Sequence, residues 1–308
     1  MGGDPDESFV ISTILDSSTT AAVRDDASPW GPDQVVSVDA MVEGVHFDER
    51  LSPGDVGWKL VAVNASDIGA MGAVPRWALL CISLPEPLDR AWVTDFSRGL
   101  HEALSHWRIQ LLGGDTTRSP AAIHASLSIG GSLFAQGARS LPVTRAGARP
   151  GDLVWVTGSL GVAAAGFFHD DPVGLKWLNH PDPPVHFGRA LGVQGIASAM
   201  MDLSDGLAED LPRLCEASGV AARIDPQSLP LATGLVEKDN PLELAMGFGD
   251  DYQLLFTAAA GDRERLESLA SEQQVSIHAI GNIVEGKGAE LIGHPWPPPV
   301  FSHFEARS

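Results

Sequence analysis

Six short acidic segments, each flanked by glycine, serine or other small residues, constrain this chain more than any other feature. They are RDD (24–26), SVD (37–39), NASD (64–67), GGDTT (113–117), DLSDG (202–206) and GFGDD (247–251). Aspartate supplies the charged oxygens that hard divalent cations prefer, while glycine and serine let backbone and phosphate come close. Any one of these aspartates, taken alone, reads more readily as a turn or helix N-cap residue; the conjunction carries the functional reading. Gathered in one place, Asp25, Asp26, Asp39, Asp67, Asp115, Asp202 and Asp205 would repel one another strongly unless cations removed the cost. The pattern therefore reads as a binder of metal and phosphate.

The spacing of apolar residues predicts alternating strands and helices. Residues 34–47 mix β-branched and polar residues as a half-buried strand does, and Ser52-Pro53 then reads as an N-cap followed by proline at the first helical position. The predicted helix runs to about Met71, with Val56, Leu60 and Val63 on a stripe that continues to Asn64 and Asp67. The apolar run from Arg76 to Pro85 predicts a strand covered on both faces. Trp92, Phe96, Leu100, Leu104 and Trp107 mark an amphipathic core helix. Strands are expected at Gln110–Leu112, delivering the chain into Gly113-Gly114-Asp115, and at 123–129 with one polar face. Turn formers at 145–151 mark the expected domain boundary, giving domains of residues 1–145 and 146–308. The second half restarts with a strand at 153–158, an Ala/Gly-rich helix and a proline-rich loop from His180 to His186. A helix from Arg189 to Met200 follows, then one after Asp202-Leu-Ser-Asp-Gly206 to about Ala217, whose N-terminal amides could hold an anion. Further elements are expected at 252–258, 263–271 and 277–283. The fold class is α/β, in two domains of similar size.

Composition narrows the function. At 308 residues, with 44% hydrophobic side chains, the chain can bury two ordinary cores. Forty acidic against twenty basic residues give a net charge of −20, which opposes contact with nucleic acid or an anionic membrane. No apolar run approaches the roughly 20 residues of a membrane span, and the acidic N-terminus lacks the basic region of a secretory signal. The two cysteines, Cys81 and Cys215, show neither zinc-ligand spacing nor a disulfide framework, so a cytoplasmic location is expected. Familiar nucleotide and hydrolase signatures are missing: there is no GxxxxGK[ST], no GxGxxG after a strand, no kinase HRD or DFG set and no GxSxG elbow. Phosphate would then be held largely through metals, and oxygen-rich ligation favours Mg²⁺.

The motifs SVDAMVEGVHF, NASDIGAMGA, GGDTT, Thr144-Arg145, DLSDGL and GFGDDYQLLFT, in this order from about residue 25 to Phe304, resemble those of the thiamine-monophosphate kinase family of the PurM-like superfamily. The resemblance implies two PurM-like α/β domains with mixed sheets, the N-terminal one binding ATP and metal. It also implies transfer of the γ-phosphoryl of ATP to thiamine monophosphate, Mg²⁺ as cofactor, and a homodimer. Carried over position by position, it makes Asp26, Ser37, Asp39, Asp67, Asp115, Asp202 and Asp205 the metal-binding set, with Asp115 and Asp205 catalytic. Gly114, Asp115, Arg145 and Ser204 match ATP-contacting positions, and His46, Asp250 and Phe301 match those that hold thiamine monophosphate. An arginine fork suits phosphate, and an aromatic face beside a carboxylate suits a thiazolium.

This sequence departs from the family pattern at three positions: Arg24 for the usual glycine, Val38 for a hydroxyl residue and Asp250 for the longer glutamate. Two other readings keep the same site. One is another PurM-like ATP-using enzyme, such as aminoimidazole ribotide synthetase or selenophosphate synthetase, the latter disfavoured by the lack of an N-terminal cysteine. The other is a non-catalytic metal- or nucleotide-binding paralogue. For the kinase, the acceptor phosphate already carries an ionised oxygen, its second pKa being about 6, so no base has to remove its proton. The remaining task is to bring two polyanions into line, and the expected path is direct transfer without a phosphoenzyme.

Overall fold

Residues 25–135 and 137–297 are described in the computed structural model of the chain. Arg24, Phe301 and Phe304 lie outside the described residues. In the first half, the short β1 (Ser28–Pro29) and β2 (Gln34–Val42) lead to helix α1 (Pro53–Ala70), then β3 (Val74–Leu84), helix α2 (Arg90–His106), β4 (Gln110–Arg118) and β5 (His124–Ser132). The small pair β6 (Phe134–Ala135) and β7 (Ala138–Arg139) follows. The first sheet has the order β1-β2-β5-β3-β4, antiparallel throughout except for the parallel β3–β4 pair.

Helix α1 starts as its sequence dictates. Ser52 accepts the Asp55 backbone N–H at 3.1 Å, and Pro53 occupies the first turn, where no N–H partner is needed. Beyond that turn the helix is buried almost all round, which a helix achieves only when covered on every side. One sheet face lies on one flank, α2 on another, and elements of the second half on the rest. Two glycine contacts set these distances: a Cβ on Gly99 of α2 would collide with the Gly54 carbonyl of α1, and a Cβ on Gly188 would collide with the Gly69 carbonyl.

The second half runs through β8 (Asp152–Thr157), α3 (Val162–His169), α4 (Pro172–Asn179), α5 (Val185–Gln194), β9 (Ala197–Asp202), α6 (Leu207–Ser218) and β10 (Ala221–Ile224). It continues with α7 (Pro241–Gly247), β11 (Leu254–Ala259), α8 (Arg263–Gln273), β12 (Ile277–Val284) and β13 (Gly288–Leu291). Its sheet has the order β13-β10-β12-β8-β11-β9, with only β10–β13 parallel. Both halves are thus α/β units with mixed sheets.

Each half has its own core, one around Leu60, Phe96 and Leu127 and one around Val156, Leu211 and Leu255. A third cluster joins Ala70 of α1 to Phe187 and Leu191 of α5 and to Phe256. The interface between the halves is therefore apolar at one end of α1.

Three expectations are corrected. Strand β3 is covered on one face only: Leu79 is 43% exposed and Cys81 is exposed, because α1 and α2 pack on the opposite face. The helix expected at Arg189–Met200 ends at Gln194; Gly195 takes φ +61° and the chain turns into β9, which pairs with β11 at the edge of the sheet and buries Ala199–Met201. The strand expected to stop at Leu112 runs on through GGDTT to Arg118, because parallel pairing with β3 continues past both glycines.

Candidate active site

The inward face of β2 alternates Val35, Ser37, Asp39 and Met41, so the SVD segment lies within the strand, as expected, and faces α1. Ser37 donates its hydroxyl to Asp67 Oδ2, and the Asp39 backbone N–H donates to Asn64 Oδ1 at 3.1 Å. The polar end of the α1 stripe therefore meets the polar positions of β2. From the second half, Asp202 closes β9 against Leu254 of β11, and its Oδ2 accepts the Ser66 hydroxyl at 2.6 Å. Asp26 comes in ahead of β1. One carboxylate oxygen from each of Asp26, Asp67 and Asp202 lies within 4.8 Å of the others.

The electrostatics of this triad are severe. Burial pushes Asp67 well above the usual carboxylate range, and the charges of Asp39, Asp202 and Asp26 push it further. Asp202 is raised to about 8, chiefly by burial and then by Asp26, against the lowering effects of Ser66 and Arg145. Asp26 is raised by burial although Arg145 opposes the shift. Arg145 Nη2 donates to Asp26 Oδ1 at 2.5 Å, and its backbone N–H donates to Asp25 at 2.8 Å. That leaves Asp26 Oδ2 buried without a hydrogen-bond partner. An unpartnered buried carboxylate oxygen among three converging carboxylates matches the donor set of a hard cation such as Mg²⁺.

A second group of acids stands beside the first. Arg213 on α6 donates Nη1 to Asp205 and, at 3.0 Å, to Asp210 Oδ1, and donates Nη2 to Glu209 at 2.7 Å. The Asp205 N–H donates in turn to Asp210 Oδ2 at 3.1 Å. Asp210 is fully buried, and burial with Asp205 nearby raises its pKa well above normal despite Arg213.

The DLSDG and GFGDD segments are stitched back to back. The Leu203 N–H donates to the Gln253 carbonyl at 2.8 Å, the Tyr252 N–H to the Leu203 carbonyl at 2.9 Å, and the Asp250 N–H to the Ser204 carbonyl at 2.9 Å. Asp251 accepts the Gly161 and Ala163 amides at 2.6 and 3.2 Å, capping α3. Burial raises it to about 7 against those bonds. Asp250 accepts Lys59 Nζ at 2.7 Å and the Tyr252 hydroxyl at 2.9 Å.

Other sequence-derived positions sit differently. Asp115 is exposed on β4, in register with Cys81, and is not part of the carboxylate triad. Gly114 precedes it where a Cβ would collide with the Leu80 carbonyl, a packing reason for glycine there. His46 lies in the turn after β2, its Nδ1 accepting the Val42 N–H at 3.1 Å. Val38 points outward and is 61% exposed, on the face opposite Ser37 and Asp39.

Several site residues went unassigned by sequence: Lys59, Ser66, Asp210, Arg213 and Tyr252. Lys59 had a signal available, since positions 59, 63 and 67 share one helical face with Asp67 at its end. Asp210 and Arg213 read as ordinary surface charges of an amphipathic helix, and nothing in their spacing marks the Asp205 contact.

Comparison with known proteins agrees with this architecture. The family profile described as AIR synthase related protein, N-terminal domain, matches residues 21–138, and its C-terminal counterpart matches residues 149–294. Fold and site thus define an AIR synthase-related protein of two α/β units with an acidic cluster between them. Thiamine-monophosphate kinase of Escherichia coli (strain K12) is 37% identical over 262 residues, 80% of this chain and 78% of that protein. That of Aquifex aeolicus (strain VF5) is 33% identical over 311 residues, 96% and 97% of the two chains. A solved structure described as AaThiL complexed with AMPPCP and TMP superposes with a TM-score of 0.84 at 31% identity, covering 97% of each chain. The chain belongs to the thiamine-monophosphate kinase family.

Proposed function

We propose that this chain transfers the γ-phosphoryl group of ATP to thiamine monophosphate, releasing ADP and thiamine diphosphate, by one direct in-line displacement. The observation that carries the reading is the convergence of Asp26, Asp67 and Asp202 from both halves of the chain, with Arg145 alongside. It is supported by family membership, and by the relative of 31% identity that is described in complex with AMPPCP and TMP. Residues 1–145 and 146–308 are the two domains in this reading.

Asp26, Ser37, Asp39, Asp67, Asp115, Asp202 and Asp205 form the proposed Mg²⁺-binding set. When bound there, the cation supplies charge neutralisation between donor and acceptor phosphates. Arg145, whose charge Asp26 reinforces despite burial, steadies the nucleotide phosphates together with Gly114, Asp115 and Ser204. His46, Asp250 and Phe301 hold thiamine monophosphate. The acceptor oxygen is already ionised near neutral pH, so the chain has to orient and shield rather than deprotonate.

A homodimer completes the proposal. Val38, Leu79 and Leu112 are exposed on the first sheet, 61%, 43% and 57%, an apolar surface suited to a second copy of the chain. A cytoplasmic location fits the two free thiols, Cys81 and Cys215. Among the described residues no helix is long and apolar enough to cross a membrane. ADP release measured with and without thiamine monophosphate tests the activity: the proposal requires strong dependence on the acceptor, and acceptor-independent release rejects it.

A further inference from the structure

A lysine is buried on α1, with Val56, Ala62 and Val63 three or four residues from it. Lys59 is only 5% exposed, two helical steps of four before Asp67. A buried ammonium costs several kcal/mol unless it is paired, so its placement requires a partner. That partner is Asp250, at 2.7 Å across 191 residues of sequence. The other Asp250 oxygen accepts the Tyr252 hydroxyl.

The turn that carries Asp250 is itself unusual. Gly249, Asp250 and Tyr252 have φ of +80°, +59° and +46°, a conformation that opposes a side chain at the latter two. Such backbone persists only where its surroundings over-determine it. Here the backbone bonds to Leu203 and Ser204 hold the turn from the second half, and Lys59 holds the carboxylate from the first. The Asp250 side chain still keeps 29% of its surface exposed, against 6% for Lys59, so the anionic end of the pair remains open to a ligand.

We propose that Lys59 is a positioning residue for the acceptor. Its ammonium fixes the Asp250 carboxylate in the orientation that receives the cationic end of thiamine monophosphate, and makes that contact depend on docking of the two halves. The Lys–Asp–Tyr arrangement thereby suits a short Asp to an acceptor site, since two donors determine where its oxygens lie. The inference rests on the reading that Asp250 faces the acceptor.

Steady-state kinetics of Lys59→Met, Lys59→Arg, Tyr252→Phe and Asp250→Asn test it, with thermal melting of each. Lys59→Met is expected to raise KM for thiamine monophosphate about tenfold or more, with KM for ATP changed less than about twofold. Lys59→Arg should give an intermediate acceptor KM. The Lys59→Met/Asp250→Asn double variant should be no worse than Asp250→Asn alone, as coupled residues require. If Lys59→Met does not fold, Tyr252→Phe carries the test, with a rise of about threefold in the acceptor KM only. An unchanged acceptor KM in the folded Lys59 variant, or equal rises in both KM values, overturns the inference while a raised acceptor KM in Asp250→Asn leaves the function standing. An unchanged acceptor KM in Asp250→Asn itself rejects the reading of Asp250 on which the inference rests.

Discussion

Ser66 on α1 donates its hydroxyl to Asp202 at the end of β9 over 2.6 Å, joining the two halves of the chain at one of the carboxylates that converge between them. Docking of the halves and formation of the acidic cluster are therefore one event. The bond also lowers the pKa of Asp202 against its burial.

Removing that donor should be costly. Ser66→Ala leaves a buried carboxylate oxygen without its hydroxyl partner, and a loss of about 1–3 kcal/mol in unfolding free energy is expected from urea titration. A change within about 0.3 kcal/mol would mean that the hydroxyl bond is replaced by water at no cost.

The carboxylates also set a pH dependence. Asp202 has a folded pKa of about 8 against an ordinary value of 3.8, and Asp67 is shifted in the same direction. Between those values the folded chain binds more protons than the unfolded one, so these groups make stability fall as pH rises from about 4 to about 8. Without divalent cations, the urea midpoint should be lower at about pH 8.5 than at about pH 6, and Mg²⁺ should narrow the gap by binding the folded state. Asp67→Asn should raise the midpoint in the absence of Mg²⁺ while abolishing most turnover, the usual opposition between a stable and a working site. A midpoint that rises with pH in the metal-free protein would contradict this assignment of charge.

Asp115 offers a cleaner separation of activity from folding, because it is exposed on β4 and is not part of the buried triad. Asp115→Asn should lower kcat by about 100-fold or more, the scale of losing an electrostatic group at phosphoryl transfer, while the melting temperature stays within about 2 °C. Near-normal turnover would remove Asp115 from the metal-binding set.

The two thiols should react in opposite ways. Burial raises Cys215 to about 11, so its thiolate fraction near neutral pH is very small, and alkylation there should be slow and accelerate with pH. Cys81 is exposed on the face proposed for self-association, so it should alkylate quickly at low protein concentration and slowly where dimers form. Mass spectrometry of iodoacetamide-treated protein distinguishes the sites, and concentration-independent labelling of Cys81 would contradict a dimer through that face.

Much of this was legible because local rules and tertiary structure agree. Ser52-Pro53 announced the start of α1, and the spacing of Val56, Leu60, Val63, Asn64 and Asp67 announced a buried face with a polar end. The Gly195 turn was harder: apolar residues on both sides of it continue a helical spacing, and only antiparallel pairing with β11 at the edge of the second sheet makes Ala197–Asp202 a strand. Lys59, Ser66 and Arg213 escaped for a different reason. Their partners lie 191, 136 and 8 residues away, and the first two contacts exist only once the halves dock. Sequence spacing cannot register an ion pair that two domains make across their interface.

The central claim is a single direct displacement between ATP and thiamine monophosphate within this carboxylate site. It is tested most directly by the configuration of a chiral, isotopically labelled γ-thiophosphoryl group after transfer to the acceptor. One in-line displacement predicts inversion at phosphorus with no label left on the protein. Retention, the outcome of two displacements through a phosphorylated side chain, would contradict the account.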